Sequence, residues 1–274
     1  MDYLSLLERR IKGHEPSVPT PLGAKEVVRQ FAQHIGVRTT EVYFAGPLDS
    51  LNLDTLPHEF VLKPSFASTS IGVLLLERFE DRFRNILSQQ VMTLEEIRQS
   101  CSRVAERYRP DSPSTARFIV EELLRDAAGN TPPQDVRFYA FCGEIGLVLM
   151  EDHLTDEQAH AMYFDGDFLP LAQVHSRYGV AEKATHLEEI VEAKVPRNWK
   201  NLLAVAKRIS MATPTPFARI DLYDTPKGVY LGEITLTPGT FYYRDRKLMS
   251  STESYRLGRM WADAEERLKG SIGF

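Results

Sequence analysis

The sequence predicts an α+β protein whose strands pair mainly as antiparallel hairpins. Three observations carry that expectation. Apolar, β-branched and aromatic runs fold back on turn residues at Gly143-Glu144, at Asp165-Gly166-Asp167 and at Pro226-Lys227-Gly228. Apolar side chains recur at the helical period near residues 23–34, 199–209 and 252–269. The hydrophobic fraction of 43% and charged fraction of 26% are those of an ordinary globular chain, and 274 residues suffice for one large or two to three small units.

Composition also excludes functions. A net charge of −5 argues against a general electrostatic grip on nucleic acid. No apolar run approaches the roughly 18 residues of a membrane span. The first ten residues are amphipathic and lack the apolar core of a signal peptide. Cys101 and Cys142 have no close spacing to each other or to a His pair, so both are expected to be reduced and buried in a cytoplasmic protein. Nothing in the pattern sets an oligomeric state.

In chain order, residues 1–20 give a short amphipathic helix and a proline-bearing link. A helix from about Gly23 to His34 places Val27, Val28, Phe31 and Ile35 on its apolar face and carries Lys25 and Arg29. Val42-Tyr43-Phe44 and Phe60 to Pro64 read as strands, the second ended by Pro64, which cannot donate to a ladder. The small residues Ser65 to Gly72 follow, and then the apolar Val73 to Leu76. Strand, Lys63, small-residue loop, strand is an arrangement that can cradle phosphate, although the glycines and terminal Lys-Ser/Thr of a Walker A loop are missing. Residues 80–108 read as helical, with Thr93 to Glu96 as a capping box and Leu94, Ile97, Cys101, Val104 and Tyr108 as the core stripe. Arg117 to Leu124 is a mostly apolar strand with an acidic end, and 126–133 is a loop. Val136 to Cys142 and Ile145 to Met150 make one hairpin; Met162 to Phe164 and Phe168-Leu169 make another. Residues 176–195 are patchily periodic and read as a loop with some helix. Trp199 to Ile209 is an amphipathic helix. Thr240 to Ser251 is basic and aromatic, and the last helix buries Tyr255, Leu257, Met260, Trp261, Ala264 and Leu268.

The hairpin spanning Ala218 to Thr235 holds the most informative chemistry. With Pro226-Lys227-Gly228 as a three-residue loop, Thr225 pairs with Val229. Asp221 then lies opposite Glu233, and Arg219 opposite Thr235, on one face. Like charges directly across a ladder repel, so facing carboxylates need a reason, and a divalent cation supplies one. Arg219 beside them can hold a phosphate or carboxylate with its planar fork. Two consequences are expected. Glu233→Gln abolishes Mg²⁺-dependent turnover with little loss of folding, and Asp221→Asn stabilises the metal-free chain by relieving repulsion.

These stretches together resemble the ATP-grasp superfamily and, within it, the TupA-like group associated with teichuronopeptide synthesis. The likeness runs from about residue 21 to residue 262. Lys25 to Phe31 and Leu56 to Pro64 are similar to the group's two lysine motifs, and Phe118 to Leu124 to its interlobe segment. Asp135 to Gly143 is similar to its Asp-x-Lys/Arg strand; Arg219 to Tyr223 and Gly232 to Gly239 are similar to its metal-binding strands. The usual glycine-rich loop is here Ser65-Phe66-Ala67-Ser68-Thr69-Ser70, and Thr235 stands where many such ligases have Asn.

The resemblance implies an ATP-grasp fold of two α+β lobes with mainly antiparallel sheets clasping the nucleotide. A reduced N-terminal subdomain (1–57), a small lobe (58–124) and a C-terminal lobe with the metal-binding hairpin (125–274) are its expected parts. It further implies an ADP-forming carboxylate–amine ligase using ATP and Mg²⁺. Lys25, Lys63, Ser68 and Thr69 contact phosphates; Glu121, Glu122, Leu123 and Leu124 hold adenine and ribose. Asp221, Glu233 and Thr235 hold Mg²⁺; Arg219 and Arg137 steady the transferring phosphoryl group; Tyr243, Arg244 and Arg246 orient the carboxylate. The partners are then a small-molecule carboxylate and an amine, amino acid or peptide-like. The same nucleotide site would also serve a small-molecule kinase or a non-catalytic nucleotide-binding module.

Overall fold

A computed structural model describes residues 1–52, 55–67, 71–109, 115–152 and 158–271. Helices α1 (Tyr3–Ile11) and α2 (Lys25–His34) open the chain. Strands β1 (Val42–Pro47), β2 (Glu59–Pro64), β3 (Leu74–Phe79), β4 (Arg82–Asn85) and β5 (Val91–Met92) follow, then α3 (Leu94–Tyr108) and β6 (Arg117–Glu121). The remainder holds β7 (Asp135–Phe141), β8 (Glu144–Asp152), β9 (Ala159–Phe164), α4 (Val174–Arg177), β10 (Tyr178–Val180) and β11 (Glu188–Ile190). It ends with α5 (Trp199–Ala212), β12 (Ala218–Thr225), β13 (Gly228–Thr235), β14 (Lys247–Met249) and α6 (Ser251–Ser271). The chain forms two compact units, Thr40–Arg125 and Met1–Thr39 with Asp126–Phe274. The stretch 1–57, expected as a reduced N-terminal subdomain, is divided between them.

In the Thr40–Arg125 unit, six antiparallel strands run in the order β1-β6-β2-β3-β4-β5. Phe60, Leu62, Leu76, Phe118 and Val120 form a core with Ile97, Cys101 and Ala105 of α3. Thr93 accepts from the Glu96 N–H at 3.2 Å while Glu96 accepts from the Thr93 N–H at 2.7 Å, the reciprocal cap read from the sequence. Helix therefore starts at Leu94. Residues 82–85 and 91–92, expected as its first turns, are strands instead, because β4 finds its partner in β3. Local periodicity does not see that pairing. Burial pushes the Cys101 thiol up to about 12, so it is an inert core group.

In the other unit the strand order is β11-β9-β8-β7-β12-β13, antiparallel except for β9 with β11. Strand alternation sends Val136, Phe138, Ala140, Val148, Ile220 and Leu222 to one face, packed with Val28 and Ala32 of α2 and Leu202, Ala206 and Ile209 of α5. The opposite face carries Tyr139, Phe141, Leu149, Tyr163 and Phe217 against Tyr3, Leu6 and Leu7 of α1 and Leu257, Trp261 and Ala264 of α6. Tyr255, expected on the buried face of α6, is 60% exposed. Cys142 is only half-buried, at the β7–β8 turn. The hairpin expected around Asp165-Gly166-Asp167 is reduced to a turn: Asp165 Oδ1 accepts from the N–H groups of Asp167 and Leu169, and an isolated bridge joins Phe164 to Pro170. The stretch 176–195 holds two short strands, β10, which pairs with β14, and β11. No helix among the described residues is long and apolar enough to cross a membrane.

Candidate functional site

The β12–β13 hairpin places Asp221 opposite Glu233 and Arg219 opposite Thr235, as the sequence suggests, but by a different route. The turn is tighter than expected: Thr225 pairs with Gly228, not Val229, and its hydroxyl closes the turn by donating to Gly228 O at 2.8 Å and accepting from Lys227 N–H at 3.1 Å. A one-residue slip of this kind sends side chains to the wrong face. A β-bulge corrects it. Leu222 pairs with Leu231 and Asp221 with Glu233, leaving Gly232 as the extra residue. Glycine suits that position, since a Cβ there would sit 2.7 Å from the Tyr223 ring and push it aside. The open end of the hairpin is pinned by buried Arg10, which donates to Phe217 O at 2.8 Å and Leu236 O at 2.9 Å and pairs with Glu15.

The facing carboxylates have unlike surroundings. The Asp221 side chain is 7% exposed and takes a two-pronged contact from Arg219, Nε to Oδ1 at 2.8 Å and Nη2 to Oδ2 at 2.6 Å. The Glu233 side chain is 56% exposed and 4.0 Å from Arg219 Nη2. Arg219 also donates to the hydroxyls of Thr235 at 3.1 Å and Thr240 at 3.2 Å. Burial pushes the Asp221 carboxyl up, and the guanidiniums of Arg219 and Arg137 pull against it. For Arg219, burial works against the charge, but Asp221 together with Tyr139 and Glu233 holds the group above its ordinary value. The expectation that Asp221→Asn relieves repulsion is therefore corrected. Asp221 is neutralised by Arg219, and removing its charge strands a buried guanidinium.

Arg137 lies directly across from Asp221 on β7. Its Nη2 is 2.9 Å from Asp135 Oδ2, its Nε is 4.0 Å from Asp221 Oδ2, and its Nη1 meets Glu151 Oε2. Glu151 in turn meets Lys247, which also reaches Glu188 Oε1 at 2.5 Å. Sequence reasoning named Arg137, Arg219, Asp221, Glu233 and Thr235, quoted Asp135 only as part of a motif, and missed Glu151, Glu188, Lys247 and Thr240. The β7–β8 turn alone does not reveal Glu151: counted back from Phe141 opposite Glu144, Asp135 would face Met150, and only the register shift between Tyr139 and Ala140 sets Glu151 opposite Asp135 and on the face of Arg137.

In the Thr40–Arg125 unit, β2 and β6 bring Lys63 and Glu121 together as an ion pair, and Thr40 Oγ1 donates to Glu121 Oε2 at 3.0 Å. Glu122 follows the last residue of β6; its N–H bonds to Glu41 O at 2.8 Å. Leu123 is half-buried and Leu124 buried. Lys25 is half-buried at the start of α2, in the unit that does not contain Lys63. Tyr243, Arg244 and Arg246 are exposed, Tyr243 by 70%, on the segment between β13 and β14. Ser68 and Thr69 lie outside the described residues.

A family model described as TupA-like ATPgrasp matches residues 4–253. The chain belongs to the TupA-like ATP-grasp family. Among solved structures, this ATP-grasp chain is similar to a D-alanine–D-alanine ligase from Bacillus anthracis, at 14% identity over 92% of this chain and 70% of that one, with a TM-score of 0.51. It is also similar to a RimK domain ATP-grasp protein from Sphaerobacter thermophilus DSM 20745, at 13% identity over 89% of this chain and 67% of that one, with a TM-score of 0.48. The ATP-grasp ligase PsnB, complexed with a minimal precursor, is 10% identical over 90% of this chain and 62% of its own, with a TM-score of 0.46. The first of these likenesses shows a shared fold. No curated protein matches the sequence.

Proposed function

We propose that the protein is an ATP-dependent carboxylate–amine ligase that works through an acyl phosphate. The observation that carries this reading is the face on which Arg219, Asp221, Glu233, Thr235 and Arg137 converge through strand register. Two guanidiniums, two carboxylates and a hydroxyl make a set suited to a phosphoryl group in transfer. The ligase named among the structures of shared fold, D-alanine–D-alanine ligase, supports the same class.

The donor set fits Mg²⁺. Asp221, Glu233 and Thr235 offer oxygen alone, and each carboxylate oxygen of Asp221 keeps a lone pair beyond its contact with Arg219. Among the described residues no group of three or more His, Cys, Asp or Glu side chains is set to hold a metal. Mg²⁺ is typically held by one or two carboxylates together with nucleotide phosphate. When bound, Mg²⁺ offsets the negative charge on the phosphate oxygens.

In this reading Lys63 supplies charge to the nucleotide phosphates, in exchange for its pairing with Glu121, and Lys25 does likewise. Residues 121–124 receive adenine and ribose. The γ-phosphoryl group moves from ATP to a substrate carboxylate oxygen, leaving ADP. Arg219 and Arg137 hold the charge that builds on the equatorial oxygens, and Arg219 stays fixed meanwhile by Asp221 and the Thr235 and Thr240 hydroxyls. An amine attacks the acyl carbon, the C–O bond to phosphate breaks, and the amine proton leaves with the departing phosphate or to water. Tyr243, Arg244 and Arg246 orient the incoming carboxylate, which suits an amino acid or peptide-like substrate.

The test is the fate of the γ-phosphate. The protein is incubated with Mg·ATP, a pool of carboxylates and hydroxylamine. ADP, inorganic phosphate and a hydroxamate are expected. ADP with a stable phosphoester and no hydroxamate would contradict the ligase and point to a kinase.

A further inference from the structure

We infer that Lys247 is a positioning residue that sets the orientation of Arg137 through their shared partner Glu151. Glu151 ends the apolar run of β8 with a side chain only 1% exposed. Its two oxygens are divided: Oε2 faces Arg137 Nη1, and Oε1 faces Lys247 Nζ. Lys247 does not belong to the six-stranded sheet. It arrives on β14, paired with β10 through Val180, and its ammonium meets Glu188 on the edge strand β11 as well. One buried cation thus joins a separate ribbon to two strands of the sheet, and the carboxylate it holds is the one that holds Arg137.

Charge balance explains why this contact governs Arg137. Asp135, Asp221 and Glu151 surround the guanidinium on three sides. With Lys247 in place, Glu151 is shared between two cations, and Arg137 keeps its contacts on both β7 and β12. Without the ammonium, Glu151 and Glu188 lose their common counter-ion, and the pull of Glu151 on Arg137 is no longer offset by Lys247. Stability does not explain the arrangement. Taking an ammonium and two carboxylates out of water costs what their attraction only roughly returns, and apolar side chains would hold the ribbon as well. Positional specificity does explain it. The catalytic consequence rests on the proposed role of Arg137; the coupling itself does not.

The test reads Arg137 directly in the full chain labelled with ¹⁵N-arginine. Arg137→Lys identifies its Nε–H resonance. In Lys247→Met, Nε–H exchange of Arg137 with water is expected to rise on the order of tenfold, the size of a contact coupling. Arg219 Nε–H, held by Asp221, is expected to stay unchanged. Glu151→Gln should reproduce the effect, and it carries the test where Lys247→Met does not fold. Lys247→Arg should restore slow exchange. An unmoved Arg137 resonance overturns the inference, and so does equal loosening of Arg137 and Arg219, which marks a merely structural role. A separate hydroxamate assay on Arg137→Met judges the phosphoryl-transfer reading: full turnover there refutes that role without touching the exchange result.

Discussion

The two faces of the β7–β13 sheet come from the same strands and the same pleat, yet they solve different problems. On one, Phe138, Val148, Ile220 and Leu222 pack under α2 and α5 in an apolar cluster. On the other, the alternate positions begin as aromatics beneath α1 and α6, then change to Arg137, Glu151, Arg219 and Asp221. The first face is an efficient stabiliser, since each buried apolar side chain contributes about 1.5–3 kcal/mol. The second buries charge, and buried ion pairs at best roughly break even. On that half of the face, burial goes to charged groups, Glu151 and Asp221 among them.

Substitutions can break or sharpen that contrast. The largest stability loss should come from the apolar face: Phe138→Ala is expected to cost about 3–5 kcal/mol in denaturant unfolding. A loss under about 1 kcal/mol would show a face far less tightly packed than its complete burial implies. Next comes Asp221→Asn, expected to cost about 3 kcal/mol in metal-free protein because it leaves Arg219 buried without its partner. Stabilisation instead would restore the picture of two repelling carboxylates.

Lys247 gives the contrast a pH signature. Burial lowers its ammonium from 10.5 to about 8. Between those values the unfolded chain keeps a proton that the folded chain has released, so stability rises with pH there. Unfolding free energies of wild type, relative to Lys247→Met, should therefore climb from about pH 8 toward 10.5. A difference that falls over this range would mean the two glutamates hold the proton on. The smallest effect belongs to Glu233→Gln, within about 0.5 kcal/mol of wild type because that side chain is largely in solvent. A larger loss would make Glu233 a structural group.

Much of the site was legible because strand period and turn chemistry are local. Alternation puts Arg219 and Asp221 on one side of β12, and the turn brings Glu233 back beside them. The register agrees with the expected one only because two features offset each other: the loop is one residue shorter than the three-residue reading, and the bulge at Gly232 adds one residue back. What escaped is non-local. Lys63 and Glu121 meet because β2 and β6 pair across an intervening hairpin and helix. Glu188 and Lys247 come from segments whose patterning showed no strand, and only the β10–β14 and β9–β11 pairings place them. The helical reading of residues 80–92 failed for the same reason, since β4 owes its conformation to β3.

On the proposed function, the Asp221–Glu233 face binds a divalent cation together with nucleotide. Mn²⁺ in place of Mg²⁺, followed by electron paramagnetic resonance with and without ATP, tests this most directly. ATP-dependent Mn²⁺ binding is expected in the wild type and is expected to be lost in Glu233→Gln while the variant unfolds at the same denaturant concentration. Equal Mn²⁺ binding in the two proteins would contradict it.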